Sequence, residues 1–372
     1  MALTSPTDQA IAIVATLKFH QIFTIPATDT HAQLKVTYAI IGPPIGTDVP
    51  TILFCSGMFA SRQIGISWNH LAEKYGVRVI FVDRPGLGGS TPVPLSQRIS
   101  VFLETVPLLL EHLQISHVSL ASHSAGTIYA LNILIRYPSI LPPKNPSLTF
   151  FCPWVHHSHS GIVSLQLASL LPNALFNTLD GFIGFGLNSA KPSLSASSNS
   201  LLSLASLFKS QKATEKTMMQ KAEAERLCLD TFGVGLDVKA EIDRLVFQYV
   251  FAETTKGSND EARLCLKNVE DSCGWVACED YMEVVEDLAQ LWEERVGEGA
   301  EKLRVKVLFG AEDGRIGDKG KKYFEGCWAE ERCGKGIEVE CITTVGTDHD
   351  TTIDPTKGYV GSMLAAAKES RS

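Results

Sequence analysis

The apolar run Val118-Ser119-Leu120-Ala121 leads into Ser122-His123-Ser124-Ala125-Gly126, and Thr127 to Leu134 then reads as a helix. A strand that must become a helix within so short a turn brings two backbones into close crossing, where only small residues fit. Ser122 and Gly126 meet that demand, and Ser124 stands between them, its hydroxyl lifted above the end of a sheet. The same turn aims the Ala125 N–H, at the positive end of a helix dipole, toward an oxygen held above Ser124. Taken alone, S-x-S-x-G also serves as a plain strand–helix connection, so its meaning depends on the rest of the chain.

A serine nucleophile needs a base, and the base needs a carboxylate to fix its tautomer. Behind a strand–turn–helix serine, the partners follow in the order acid, then histidine. Arg304 to Phe309 is a β-rich run ending at Gly310-Ala311-Glu312-Asp313, which puts Asp313 just past a strand end. Ile337 to Thr344 alternates like another strand and ends at Val345-Gly346-Thr347-Asp348-His349-Asp350, which does the same for His349. If the three strands run parallel, all three loops open on one edge, where open α/β sheets place their sites. Glu312 is the alternative acid, and Asp348 and Asp350 read as solvent-facing or loop-bonding. Thr51 to Cys55 is a buried-strand run before Ser56-Gly57-Met58-Phe59-Ala60, a turn that offers the Met58 N–H as second oxyanion donor. Val77 to Val82 then leads into Asp83-Arg84-Pro85-Gly86-Leu87-Gly88-Gly89-Ser90, where Asp83 and Arg84 are expected to brace the loop.

On these residues the chain resembles the α/β-hydrolase superfamily. Asp83 to Ser90 is similar to its D-x-x-G-x-G-x-S loop, Gly310 to Asp313 to its acid loop, and Gly346 to His349 to its histidine loop. Three positions depart from the pattern: Ser122 and Asp348 stand where glycine is usual, and Ser56 where histidine is common. The likeness covers roughly residues 15 to 155 and 300 to 368. It implies an α/β fold, a mostly parallel sheet flanked by helices, with Ser124, Asp313 and His349 as triad and Ala125 and Met58 as oxyanion donors, and with no cofactor. A serine nucleophile argues against the epoxide-hydrolase and dehalogenase branches, and the lack of His-Gly-Gly against the hormone-sensitive-lipase branch. The expected reaction is hydrolysis of a small-to-medium hydrophobic ester or thioester through an acyl-enzyme. Acyl transfer, cyclisation or C–C cleavage by the same triad is the alternative, and a non-catalytic binding protein a further one.

Strand runs alternate with helical stretches up to residue 155 and again from 300, which predicts a sheet core in two pieces, 1–155 and 300–372. Between them, 163–171, 200–208, 213–229, 238–251 and 280–294 read helical, with a Ser-rich loop at 189–200. This predicts a helical cap over 156–299 that excludes water and shapes the pocket. Phe59, His123, Trp154 and His156 are candidate pocket residues. His156-His157-Ser158-His159 looks like a metal cluster but has no carboxylate or cysteine at ligand spacing, so no metal site is expected. Gly86-Leu87-Gly88-Gly89 is not a dinucleotide fingerprint, since Thr91-Pro92 follows instead of a helix.

Composition limits the partners. A chain of 372 residues with 45% hydrophobic residues can fill a sizeable core. A net charge of −8 argues against a nucleic-acid surface. The odd count of nine cysteines reads as reduced thiols, although Cys273 with Cys278, or Cys327 with Cys333, would be close enough in sequence to pair. The first residues lack a signal-peptide pattern, and no window approaches the roughly 20 apolar residues of a membrane span. The expectation is a cytoplasmic protein acting on a small-molecule acyl substrate.

Overall fold

In the computed structural model, residues 5–173, 215–254, 256–268 and 273–369 are described. Eight strands form one sheet: β1 (Gln21–Ile25), β2 (Leu34–Ile41), β3 (Thr51–Cys55), β4 (Arg78–Val82), β5 (Ser119–Ser124), β6 (Ser147–Pro153), β7 (Leu303–Gly310) and β8 (Ile337–Thr344). Their order is β1-β2-β4-β3-β5-β6-β7-β8, with β2 antiparallel to both β1 and β4 and every other pair parallel. The expected α/β fold with a mostly parallel sheet is therefore present, and the first two strands pair as a hairpin. β3, β4 and β5 are buried along their whole length. Parallel strands covered on both faces produce such unbroken apolar runs.

Successive side chains divide between two cores, as the strand period of two requires. Leu53, Ile80, Leu120 and Phe150 enter one apolar cluster, whereas Phe54, Phe81, Ala121 and Phe151, one residue further along each strand, enter the other. The first cluster is closed by α3 (Arg98–His112), α4 (Gly126–Arg136), α10 (Tyr281–Gly297) and α11 (Gly317–Cys327). The second is closed by α1 (Pro6–Val14), α2 (Asn69–Tyr75), α8 (Leu236–Ala252) and α13 (Tyr359–Glu369). α1 starts where Ser5 accepts a hydrogen bond from the Asp8 N–H and Pro6 presets the first turn. α4 is buried from Gly126 to Leu134, which is why its sequence is apolar on all sides.

Among the described residues, the segment between β6 and β7 carries helices and no strand: α5 (His157–Ser160), α6 (Val163–Ser169), α7 (Glu215–Phe232), α8, α9 (Lys256–Leu266) and α10. The helix expected at 200–208, the Ser-rich loop at 189–200 and part of the helix expected from 213 lie outside the described residues. α10 packs into the same core as β6 and β7: Tyr281, Val284, Val285, Leu288, Ala289 and Trp292 form one buried stripe at helical spacing. This part of the span 156–299 thus serves the layer that flanks the sheet.

The turn between α8 and α9 is fastened to the loop Asp83–Ser90. Arg62, 3% exposed, binds Asp83 at 2.6 Å and Glu253 at 2.7 Å. Arg98 binds Glu261 at 2.6 Å with both side chains fully buried. Gly257 N–H donates to the Gly86 carbonyl at 2.8 Å, and Thr254 N–H to that of Gly88 at 3.1 Å. A Cβ on Gly257 would stand 2.7 Å from the Gly86 carbonyl carbon, so this crossing requires glycine. Cys278, Cys327 and Cys333 are free thiols, so neither of the two sequence-suggested cysteine pairs is a disulfide. Among the described residues no helix is long and apolar enough to cross a membrane.

Candidate active site

Ser124 ends β5 with a backbone φ of +51°, in the left-handed region that a non-glycine residue enters at a cost of about 1–3 kcal/mol. The turn holds that conformation because α4 begins two residues later and crosses β3 at close range. A Cβ on Gly126 would lie 1.9 Å from the Cys55 carbonyl oxygen, and Ser122 has no exposed surface at all. The small flanks read from the sequence are thus steric requirements of this crossing.

The parallel strands bring the three strand-end residues together. His349 Nε2 lies 2.8 Å from Ser124 Oγ, and its Nδ1 lies 2.8 Å from Asp313 Oδ2. A carboxylate can only accept, so Nδ1 carries the proton and Nε2 is left to accept from the Ser124 hydroxyl. The other Asp313 oxygen accepts from the Arg315 N–H at 2.9 Å and the Ile316 N–H at 3.2 Å. Burial alone would raise the Asp313 carboxyl, but the bond to His349, the histidine charge and these two N–H donors hold it below its ordinary value of 3.8.

Neighbouring acids are engaged elsewhere. Glu312 is exposed, and its N–H donates to the Thr347 carbonyl at 3.0 Å. Asp348 accepts from Thr351 N–H and hydroxyl at 2.8 and 2.7 Å, shaping the turn after His349, and Asp350 binds Arg315 at 2.6 Å. The loop-bonding reading of Asp348 and Asp350 matches these contacts.

A family model described as alpha/beta hydrolase fold matches residues 50–226. The chain has the α/β-hydrolase fold. An alpha/beta hydrolase enzyme from a Medee basin deep-sea metagenome library superposes with a TM-score of 0.52 at 15% identity, covering 93% of this chain and 96% of its own. An alpha/beta hydrolase fold protein from Nakamurella multipartita gives 0.51 at 13% identity, covering 95% and 100%. At such identities the likeness speaks for the fold alone. No curated protein matches the sequence.

Within this fold, Met58 is half-buried in the loop after β3, and among the described residues no acceptor takes its N–H. Phe59, beside it, is 43% exposed. Gly57 is pinned by the turn below: a Cβ there would stand 2.8 Å from His123 Nδ1. His123 Nε2 donates to the His349 carbonyl at 2.8 Å, so the residue before the candidate nucleophile anchors the candidate base. Burial, then the adjacent His349, push its imidazole down to about 3, and it stays neutral.

The remaining pocket candidates are tied to α9. Trp154 is buried, and its ring N–H donates to the Cys265 carbonyl at 3.1 Å. His156 is half-buried and donates from Nε2 to the Leu266 carbonyl at 3.2 Å. The His156 and His157 rings lie against each other with centroids 3.9 Å apart, whereas His159 stacks on Tyr323, also at 3.9 Å.

Sequence reasoning missed two features. Cys152, at the end of β6, brings its sulfur within 4.8 Å of the facing Asp313 and His349 atoms. Burial and the Asp313 charge push that thiol well above its ordinary range, so it stays protonated. The second is Arg84. Asp83 does brace its own loop, accepting from the Arg62 N–H at 2.5 Å and the Thr37 hydroxyl at 2.6 Å. Arg84 instead leaves that loop and donates to the Ser56 and Gly57 carbonyls. A charged residue directly after an apolar strand was the available signal, but its direction was not encoded locally.

Proposed function

We propose that the protein is a serine hydrolase that cleaves a small-to-medium hydrophobic carboxylic ester or thioester through an acyl-enzyme on Ser124. The observation that carries this reading is the continuous hydrogen-bonded chain Ser124–His349–Asp313, at 2.8 Å on both links. Ser124 Oγ attacks the acyl carbon as His349 Nε2 takes its proton, and Asp313 stabilises the imidazolium. The carbonyl oxygen gains negative charge and is received by the Ala125 and Met58 N–H groups. When the tetrahedral adduct collapses, His349 gives the proton to the departing alkoxide or thiolate. Water then repeats the sequence on the acyl-enzyme, releasing the acid and restoring Ser124. The half-exposed Phe59 ring beside the Met58 donor favours an apolar acyl group. In the same reading residues 156–299 form the helical cap over the site, with α9 and α10 also packed into the core beside the sheet.

Intact-mass analysis after a fluorophosphonate probe tests this directly. One adduct on the wild type, absent from Ser124→Ala and His349→Ala, is the expected result. Hydrolysis of p-nitrophenyl esters of graded chain length should accompany it. A folded wild type that takes no label overturns the hydrolase reading. Labelling without release of acid to water redirects it to transfer onto another acceptor.

A further inference from the structure

The Met58 N–H belongs to a peptide group whose other end is the Gly57 carbonyl. A trans peptide is planar, and its N–H and C=O point in opposite directions. Whatever holds the Gly57 oxygen therefore aims the Met58 hydrogen. That oxygen accepts from the Ala60 N–H at 3.1 Å, within its own turn, and from Arg84, the charged partner: Nη2 donates to it at 2.5 Å, while Nη1 donates to the preceding Ser56 carbonyl at 2.8 Å. Both bonds are buried, with Arg84 2% exposed. A cation on the carbonyl end also polarises the amide and makes its N–H a stronger donor.

Arg84 is fixed in turn from behind. Its guanidinium lies 4.8 Å over the Tyr129 ring and 3.6 Å from Glu261 Oε2. Glu261, on α9, is fully buried and also accepts from Arg98 Nη2 at 2.6 Å and from the Tyr129 hydroxyl at 2.5 Å. Burial alone would raise this carboxyl, but Arg84 and Arg98 outweigh it, and Glu261 remains ionised.

We propose that Arg84 is a positioning residue for the reaction: by gripping the Ser56 and Gly57 carbonyls it sets the Met58 N–H toward the oxyanion, and Glu261 of the inserted segment fixes the guanidinium in that grip. The proposal rests on the hydrolase reading above. It makes α9 a supplier of order to the oxyanion site from a distance, through a carboxylate that touches no substrate.

Three proteins test it with p-nitrophenyl butyrate as substrate and a trifluoromethyl ketone as inhibitor: wild type, Arg84→Lys, and the double variant Arg84→Met with Glu261→Gln. Lysine keeps the charge and loses the two-pronged grip. The double variant neutralises both members of the Arg84–Glu261 pair and serves if removal of arginine alone prevents folding. Circular dichroism and thermal melting confirm the fold of each. The expected result is a fall in kcat of about 10- to 100-fold with KM within about threefold, since a donor is misaimed and not removed. The inhibition constant of the ketone, whose adduct carries the same oxyanion, should rise by the same factor. Folded variants with kcat and ketone affinity within twofold of wild type, or with a loss confined to KM, overturn the positioning role. A wild type that neither hydrolyses the ester nor takes a fluorophosphonate label overturns the hydrolase reading itself and the positioning role with it.

Discussion

The strand-end cluster around Ser124 and the clasp between α9 and the Asp83–Ser90 loop lie in the same chain yet are built on opposite principles. In the cluster, three residues are each presented by a separate strand, and one of them sits in a left-handed backbone conformation. Their mutual contacts are two hydrogen bonds. In the clasp, buried arginines and carboxylates from distant parts of the chain pair with one another, and backbone bonds and a glycine–glycine crossing close the remaining space. In the proposed reaction the first arrangement directs reactivity, and its two hydrogen bonds are expected to add little to stability. The second holds the molecule together and touches no reacting atom. Arg84 belongs to both.

Substitutions that separate activity from stability sharpen this contrast. The largest effect belongs to the cluster: Ser124→Ala should lower kcat on the order of a million-fold and Asp313→Asn about ten-thousand-fold. Thermal unfolding should barely move in either, and a large drop in melting temperature would break the contrast. Next comes the clasp. Glu261→Leu leaves Arg98 and Arg84 buried without their carboxylate and should destabilise the fold by about 3–5 kcal/mol in urea titrations. A loss below about 1 kcal/mol would show that the clasp is not structural.

Acid provides a finer test of the same residue. The folded-state pKa of Glu261 is depressed below the ordinary 4.5, so the stability it contributes is complete above pH 4.5 and is lost as pH falls through the lower folded value. The gap in unfolding free energy between wild type and Glu261→Gln should therefore be constant from neutral pH down to about 5 and narrow below 4.5. A gap that widens on acidification would reverse the sign. The smallest effect is expected at the rim. Arg315 and Asp350 are 45% and 38% exposed, so Arg315→Ala should alter stability by less than about 1 kcal/mol. It should also leave kcat within about threefold, because Asp313 is held by the Arg315 backbone N–H and not by its side chain.

The cluster was legible in the sequence and the clasp was not, for a physical reason. β3, β4 and β5 are buried along their whole length, β3 and β4 being largely apolar, and Ser124 at the end of β5 and the residues just past β7 and β8 are marked by their place at strand ends. Parallel pairing then converges them without further information. Glu261 and Arg98, by contrast, are 163 residues apart, and no local pattern joins them. Lys256 to Asp260 is Lys-Gly-Ser-Asn-Asp, a turn-like composition, yet it opens α9, because docking on the loop at Gly86 overrides propensity. Trp154 shows the same limit. A tryptophan after a strand end reads as core or pocket wall; its side chain is part of the core, and the bond from its ring N–H to a carbonyl of α9 has no local signal.

His123 gives the cluster one further property. A carbonyl can only accept, so the bond from His123 Nε2 to the His349 backbone fixes the proton on that nitrogen, and burial, with the adjacent His349, holds the ring neutral at ordinary pH. The candidate nucleophile and base are thereby tied together through adjacent residues of a single turn. Moving the His349 backbone away from Ser124 would break that buried bond, so the turn after β5 and the loop after β8 shift together or not at all.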